Sequence, residues 1–220
     1  MKIGVLGTGM VGTTLATRLV GLGHDVMLAS RDGRSEAAAN WLAEQAGGAA
    51  TGSFAEAARH GEVIILAVRG DAALAAIAAS GPDRLAGKVL LNISNPLDFS
   101  QGFPPRMIPE LSNTTSLSEA VQAAAPAARV VNSLNTMNAA LMVNPDALAG
   151  AHDVFVCGDD EAAKEVVAGL LGEFGWTAPV DLGPLRAARG TEGMMPVWLA
   201  LFGRLGHANF NYRINIGAKP

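Results

Sequence analysis

A doubly wound, mainly parallel α/β sheet with a small, partly helical C-terminal extension is the fold class this sequence predicts, and three observations predict it. Short apolar runs of strand length recur between helical stretches, the pattern of parallel strands covered on both faces. A glycine-punctuated turn joins the first of these runs to a helical apolar period. After Pro184 the rhythm changes to a broad apolar helix followed by an alternating tail. The 220 residues suffice to bury a core without disulfides or a structural metal.

The elements follow in order. Residues 2–6 form a strand, and a helix runs from the glycine turn through Leu22. Val11, Leu15, Leu19 and Leu22 share one of its faces, and Gly21 and Gly23 bracket its end. Residues 25–29 are the second strand. Residues 35–46 are Ala-rich and helical by propensity, 62–68 (EVIILAV) a buried strand, and 71–79 a helix. Residues 88–93 and 128–132 supply two more strands and 153–157 a sixth. A helix over 160–174 and a last strand over 177–181 complete the sheet. These divide the chain into a Rossmann-type nucleotide-binding domain over 1–183 and a small C-terminal segment over 184–220. In the latter, 191–207 read as one helix. Phe210, Tyr212, Ile214 and Ile216 alternate with polar residues as in an extended arm or edge strand.

Composition narrows the function. Ala and Gly supply nearly a third of the chain and aromatics 5%, so the elements pack closely through small side chains. A net charge of -4 offers no broad cationic surface for a phosphate backbone, which argues against nucleic acid. No uninterrupted apolar run reaches the roughly 18 residues of a membrane span, and glycines break up the apolar start, so no membrane insertion or export signal is expected. The single cysteine, Cys157, cannot form an internal disulfide, and the four histidines lack metal-ligand spacing. The expected compartment is the cytoplasm and no metal is expected.

Gly7, Gly9 and Gly12 form G-x-G-x-x-G between the first strand and the first helix. Gly7 permits the tight turn, Gly9 lets the backbone approach a pyrophosphate, and Gly12 allows close helix packing. Thr8, Met10 and Val11 add backbone groups where unpaired helix amides attract anionic oxygen. The competing reading is a glycine turn with a structural role only. The second strand ends in Ser30 and Arg31, not in the carboxylate that holds a ribose diol. Ser30, Arg31 and the nearby Arg34 suit a 2′-phosphate, so NADP(H) is favoured over NAD, against the alternative of an ordinary solvated basic turn.

Three further loops follow predicted strands and so face the ligand crevice: Val68, Arg69 and Gly70; then Asn92, Ser94, Asn95, Pro96 and Leu97; then Asn132, Asn135 and Thr136. Their Asn and Thr side chains can orient a carboxamide or a second substrate, and are equally common in turns. No constellation of lysine, histidine or carboxylate forms an acid-base apparatus. His24 and His152 read as structural, and Cys157 as a small buried hydrophobe. Hydride transfer between two bound rings fits this lack, because it needs proximity and orientation more than a protein nucleophile.

The segments GTGMVG with LASR, NISNPLD, NSLNTMNA, FVCGDDEAAKEVV and VDLGPLRAAR cover roughly residues 1–200. Together they resemble the NADP-dependent oxidoreductases of the deazaflavin coenzyme F-420 (F420), and are similar to the cytosolic reductase domain of transmembrane metalloreductases. The resemblance implies a homodimer. It places NADPH across Gly7 to Gly12 with the 2′-phosphate near Ser30 and Arg31. The nicotinamide then approaches Asn95, Pro96, Leu97, Asn135 and Thr136, and its hydride passes directly to a second ring held between the crevice and the C-terminal part. Met137, Asn138 and the tail from Phe210 depart from the family pattern. Helix 191–207 is open to three readings: plain core, dimer interface or acceptor-pocket wall, the first two favoured. Alternative functions are NADPH-dependent reduction of a flavin, quinone, ferric complex or small carbonyl compound, and a non-enzymatic NADPH-sensing module.

Overall fold

The computed structural model describes residues 1–215 and 217. Its first half alternates strand and helix: β1 (Lys2–Leu6), α1 (Met10–Gly21), β2 (Asp25–Ser30), α2 (Glu36–Ala43), β3 (Ala49–Ser53), α3 (Phe54–His60), β4 (Val63–Leu66), α4 (Ala73–Ser80) and β5 (Val89–Asn92). A two-strand excursion, β6 (Leu97–Asp98) against β7 (Arg106–Met107), leaves the sheet before α5 (Leu117–Ala124) and β8 (Arg129–Ser133) resume it. Then come α6 (Ala139–Val143), β9 (Phe155–Gly158), α7 (Glu161–Phe174), β10 (Val180–Asp181), α8 (Ala188–Gly193) and α9 (Met195–Leu205).

The main sheet has the order β10-β9-β8-β5-β4-β1-β2-β3. The chain starts in the middle, runs outward to β3 and returns past β1 to β4, so the strand order reverses between β1 and β4. In open α/β sheets the ligand crevice lies at that switch point, beyond the carboxyl ends of the strands. All main-sheet pairs are parallel except β8 with β9. A parallel return from β8 would need a crossover helix. The helix available, α6, has five residues and is about 8 Å long, too short to carry the chain back along the sheet.

Alternating side chains feed two apolar layers. On one face Ile3, Val5, Ile65, Leu91 and Val131 meet Leu15 and Leu19 of α1 and Leu170 and Leu171 of α7. On the other, Leu6, Ile64, Leu66, Leu90 and Val130 meet Ala57 of α3, Ile77 of α4 and Val121 of α5. Small residues set the spacing: a Cβ at Gly4 would stand 2.5 Å from the Ala57 carbonyl oxygen, so α3 lies on β1 more closely than any other residue permits.

Several expectations need correction. β3 (AATGS), α3, α5 and α6 were not anticipated; β3 is half-buried throughout and carries no bulky apolar side chain. The expected helix over 35–46 is shorter, starting after a Ser35 cap that accepts the Ala38 amide. The expected strand over 177–181 pairs only at Val180–Asp181. The single helix over 191–207 is two helices, α8 and α9, with Met194 between them. Pro196 lies in the first turn of α9, where its missing N–H costs nothing, whereas a continuous helix would need that donor. The tail is no strand among the described residues, and Ile216 lies outside them. It is clasped instead by Asp153, whose amide donates to the Tyr212 carbonyl at 2.9 Å and whose carboxylate pairs with Arg213 at 2.9 Å.

Candidate functional site: a cleft at the switch point

A cavity of about 820 Å³ opens at the carboxyl ends of β1 and β4, within the size range of cofactor sites. Its floor is the glycine loop. Gly7 has φ +124°, and a Cβ there would meet the Ala67 carbonyl oxygen at 2.3 Å; a Cβ at Gly12 would meet the Gly7 carbonyl oxygen at 1.9 Å. These two glycines are therefore demanded by the turn and by the approach of α1. Gly9 differs, because a Cβ there would meet nothing within 4 Å. Gly9 is also the N-cap of α1 and offers no side-chain cap, whereas α2, α3, α5, α6 and α7 are each capped by a Ser, Asn or Asp side chain. The first amides of α1 are left for an outside acceptor.

Next to the loop, Ser30 and the exposed Arg31 line the cavity, and the Ser30 hydroxyl is buried with no partner among the described residues. Arg31 takes part in no ion pair among them. Ser35, which the sequence reading passed over, donates to the Thr8 hydroxyl at 3.0 Å and so ties the glycine loop to the start of α2.

The middle of the cleft is built by the loops after β4, β5 and β8. Val68, Arg69, Ser94, Asn95, Leu97 and Asn135 all line it. Asn95 Nδ2 donates to the Asn135 carbonyl at 2.8 Å, and Asn135 Nδ2 donates to Asn95 Oδ1 at 2.9 Å, a reciprocal pair that locks two loops together. Leu134 is held at φ +62°, left-handed backbone costing a bulky side chain about 1–2 kcal/mol, and this turn delivers Asn135 to the pair. A Cβ at Gly70 would stand 1.9 Å from the Asn95 carbonyl oxygen, so the loop after β4 also depends on a glycine. Arg69 is paired with Asp71 and lies 5.2 Å from the centre of the Phe99 ring.

Six of the expected site residues do not line the cavity, among them Asn92 and Asn132, which are buried at the ends of β5 and β8. Gly12 is under the loop; Arg34 is exposed and outside the lining, its backbone amide bound to Asp32 Oδ1 at 3.0 Å; Pro96 and Thr136 are buried behind the lining. Conversely, the far wall was largely missed. Met195, Trp198, Leu199 and Phe202 of α9 face the cavity, with Phe99 and Phe103 opposite. Trp198 stacks on Phe202 at 5.5 Å and packs against Phe210 at 5.3 Å, while Phe103 meets Phe202 edge-on at 5.6 Å across the mouth. Asn138, also in the lining, caps α6 with its oxygen and donates its amide to the Ala208 carbonyl, holding the start of the tail.

Behind the cleft, Glu192 of α8 is 1% exposed, and burial pushes its carboxyl up from 4.5 to about 7 against hydrogen bonds from Ser118 and Leu117 that pull it down. The folded chain thus keeps a proton that the unfolded chain releases above pH 4.5. The associated stability is fully present below that pH and is lost as pH rises through about 7, roughly 3 kcal/mol in all. Denaturant titrations at pH 5 and pH 8 will show this loss in the native chain and not in Glu192→Gln; equal slopes in both would assign the effect to another group.

The parallel sheet, the switch-point cleft and the uncapped glycine loop define a Rossmann-like α/β protein whose cleft has the shape of a dinucleotide site. Residues 2–96 match the family model described as NADP oxidoreductase, coenzyme F420-dependent. The chain is 30% identical over 208 residues to the F420-dependent NADP reductase of Methanocaldococcus jannaschii, covering 91% of this chain and 92% of that protein. It belongs to the family of F420-dependent NADP oxidoreductases. The crystal structure of a candidate F420-dependent NADP reductase from Arthrobacter sp. FB24 superposes with a TM-score of 0.92 at 47% identity, covering 98% of this chain and 100% of that one. The chain is also 33% identical over 205 residues to the metalloreductase STEAP3 of Rattus norvegicus, covering 90% of this chain but 38% of that protein's length. Among the described residues no helix is long and apolar enough to cross a membrane.

Proposed function

We propose that this chain transfers a hydride between NADP(H) and the deazaflavin coenzyme F420 in a shared cleft. The observation that carries the reading is a single cavity with a glycine loop at one end and an aromatic wall at the other. The residues present fit a phosphorylated dinucleotide. The open space over Gly9 admits a pyrophosphate to the free amides of α1, and the partnerless Ser30 hydroxyl beside Arg31 suits a 2′-phosphate. Nicotinamide supplies the hydride at its C4 carbon. The chain's task is to hold two rings face to face and keep water out. Asn95 and Asn135, rigid through their mutual pair, orient the nicotinamide side, and the near-parallel rings of Trp198 and Phe202 give the acceptor an apolar wall, with Phe103 edge-on to it. In this reading residues 1–183 bind the dinucleotide and 184–220 complete the acceptor pocket.

A second reading, reduction of a flavin, quinone or ferric complex, is favoured by the likeness to a metalloreductase. Stopped-flow oxidation of NADPH against F420, flavin, quinone, ferric and carbonyl acceptors separates the two. Fastest turnover with F420 is expected; tight NADPH binding without oxidation by any acceptor would point to a sensing module.

We also read the chain as a cytoplasmic homodimer. Val197, Leu201 and Leu205 follow one another at successive turns on the outer face of α9 and are 54%, 36% and 47% exposed, an apolar stripe suited to a second copy. Sedimentation should give the mass of two chains, falling to that of one in Leu201→Glu; a native chain that sediments singly removes the dimer.

A further inference from the structure

A run of buried polar side chains, outside the cavity lining for most of its length, joins α8 to the ends of β5 and β8. The Glu192 carboxylate accepts the Leu117 amide at 2.7 Å, the Ser118 amide at 3.0 Å and the Ser118 hydroxyl at 2.7 Å. Ser118 Oγ in turn accepts Asn92 Nδ2 at 2.9 Å, and Asn92 Oδ1 accepts the Ser94 amide at 3.1 Å. On a second arm, Thr191 Oγ1 donates to Asn132 Oδ1 at 2.9 Å, and Asn132 Nδ2 donates to the Asn92 carbonyl at 3.3 Å. Both arms end on the strand termini from which the cleft loops leave, Ser94 and Asn95 after β5 and Asn135 after β8. Ser116 caps α5 only at the Glu119 amide; Glu192 takes the Leu117 and Ser118 amides that open the helix, and it alone reaches on through the Ser118 hydroxyl toward Asn92. Burying a carboxylate is costly unless hydrogen bonds replace its water, and here three donors do so.

We propose that Glu192 is a positioning residue for the reaction: its charged form holds Ser118 as a donor and, through Asn92, fixes the loop of Ser94 and Asn95 against which the reacting ring lies. The proposal rests on the hydride-transfer reading of the cleft. A charged Glu192 is an acceptor only and matches the three donors around it. A proton on Oε1 reverses the contact. The carboxyl then donates to Ser118 Oγ, which already accepts from Asn92, and the serine hydrogen loses its acceptor. The loop beyond Asn92 loses its fixed support, and the paired amide of Asn135 moves with Asn95.

The change falls near neutral pH, since burial raises Glu192 to about 7. The other ionisable groups on elements around α8 are Glu119 of α5, Arg129 of β8, Arg189 of α8 itself, Arg186 in the turn before it, Arg204 of α9, Cys157 of β9 and Tyr212 of the tail, whose hydroxyl donates to the Met194 carbonyl at 3.4 Å. Arg189 is bound to Glu119 at 2.6 Å, and burial pushes the Cys157 thiol up to about 12, so neither partner changes charge in this range.

The test uses the full chain, isotope-labelled and without cofactor. The side-chain amide resonances of Asn95 and Asn135 are followed with the Glu192 carboxyl carbon from about pH 5.5 to about pH 8.5. All three are expected to trace one curve. In Ser118→Ala, Glu192 still titrates but the asparagine shifts fall to about a third or less; in Glu192→Gln they are flat. In native chain the kcat of NADPH oxidation falls about ten-fold from pH 8 to pH 5.5 with KM for NADPH changed less than about two-fold, and Ser118→Ala loses that slope. Asparagine resonances that stay still while Glu192 titrates, or move equally in Ser118→Ala, overturn the positioning role. If no variant oxidises NADPH with any acceptor, the functional reading fails instead, and the resonances still decide the role of Glu192.

Discussion

Gly9→Val is expected to abolish dinucleotide binding while leaving the chain folded. Most glycine-to-valine changes confound the two effects; this position separates them. The backbone at Gly9 has φ -81°, an ordinary extended value, and a Cβ would meet nothing within 4 Å. The cost to the fold is that of a poor N-cap, about 1 kcal/mol, or a Tm lowered by about 2–4 °C in a chain of this size. The space the branched side chain fills is the space through which a pyrophosphate would reach the α1 amides, so affinity should fall by about 100-fold or more for NADPH and NADH alike. Nicotinamide fluorescence titration with a parallel thermal melt reads both quantities. Unchanged affinity would place the dinucleotide elsewhere. Gly12→Val serves as contrast: its Cβ would lie 1.9 Å from the Gly7 carbonyl oxygen, and there the melt itself should collapse.

Arg31→Ala should weaken NADPH more than NADH. A charge-assisted hydrogen bond to a phosphate is worth about 1.5–3 kcal/mol, which corresponds to about a ten- to hundred-fold loss for NADPH; exposure of Arg31 places the expectation near the lower figure. NADH, lacking the phosphate, should bind as before. The NADPH loss should shrink as salt is raised, since the contact faces solvent. Arg34→Ala is the internal control, because Arg34 is off the lining and its amide already serves the turn at Asp32. Equal losses for both dinucleotides in Arg31→Ala would mean that the side chain shapes the loop and does not read the phosphate.

Local pattern carried the first half of the fold. β1, α1 and β2 were legible because apolar period, strand length and glycine spacing all agree within thirty residues, and the same agreement located the floor of the cleft. α3 and α5 were legible in principle. Each opens with Ser followed three residues later by Glu, Ser53 with Glu56 and Ser116 with Glu119, and the side chains do make those contacts. Their Ala-rich bodies hid them. Pro196 likewise marked the break between α8 and α9, but the apolar run around it was read through. The far wall could not be assigned by period. α9 is apolar on two sides, and nothing local says that Trp198 and Phe202 face a cavity while Val197 and Leu201 face outward. The Asn95–Asn135 pair spans 40 positions and the Ser118–Glu192 contact 74, separations at which composition carries no signal. Thr136 shows the converse limit: a plausible residue type next to a lining residue, yet itself buried and outside the lining.

The division of the cavity between early and late chain segments has a consequence for biosynthesis. The glycine loop, Ser30, Arg31 and the Asn95 loop lie on strands that precede α5, whereas the aromatic wall comes from α9, made after every strand of the sheet. Domains fold as they emerge, N-terminal portions first. A nascent chain halted after β10 would carry the dinucleotide half of the cleft with its acceptor side still open to water, so a ribosome-stalled intermediate should capture NADPH before it is able to shelter a hydride. The small molecule would then be a ligand of the folding chain, stabilising the sheet by mass action while the last helices are still being added.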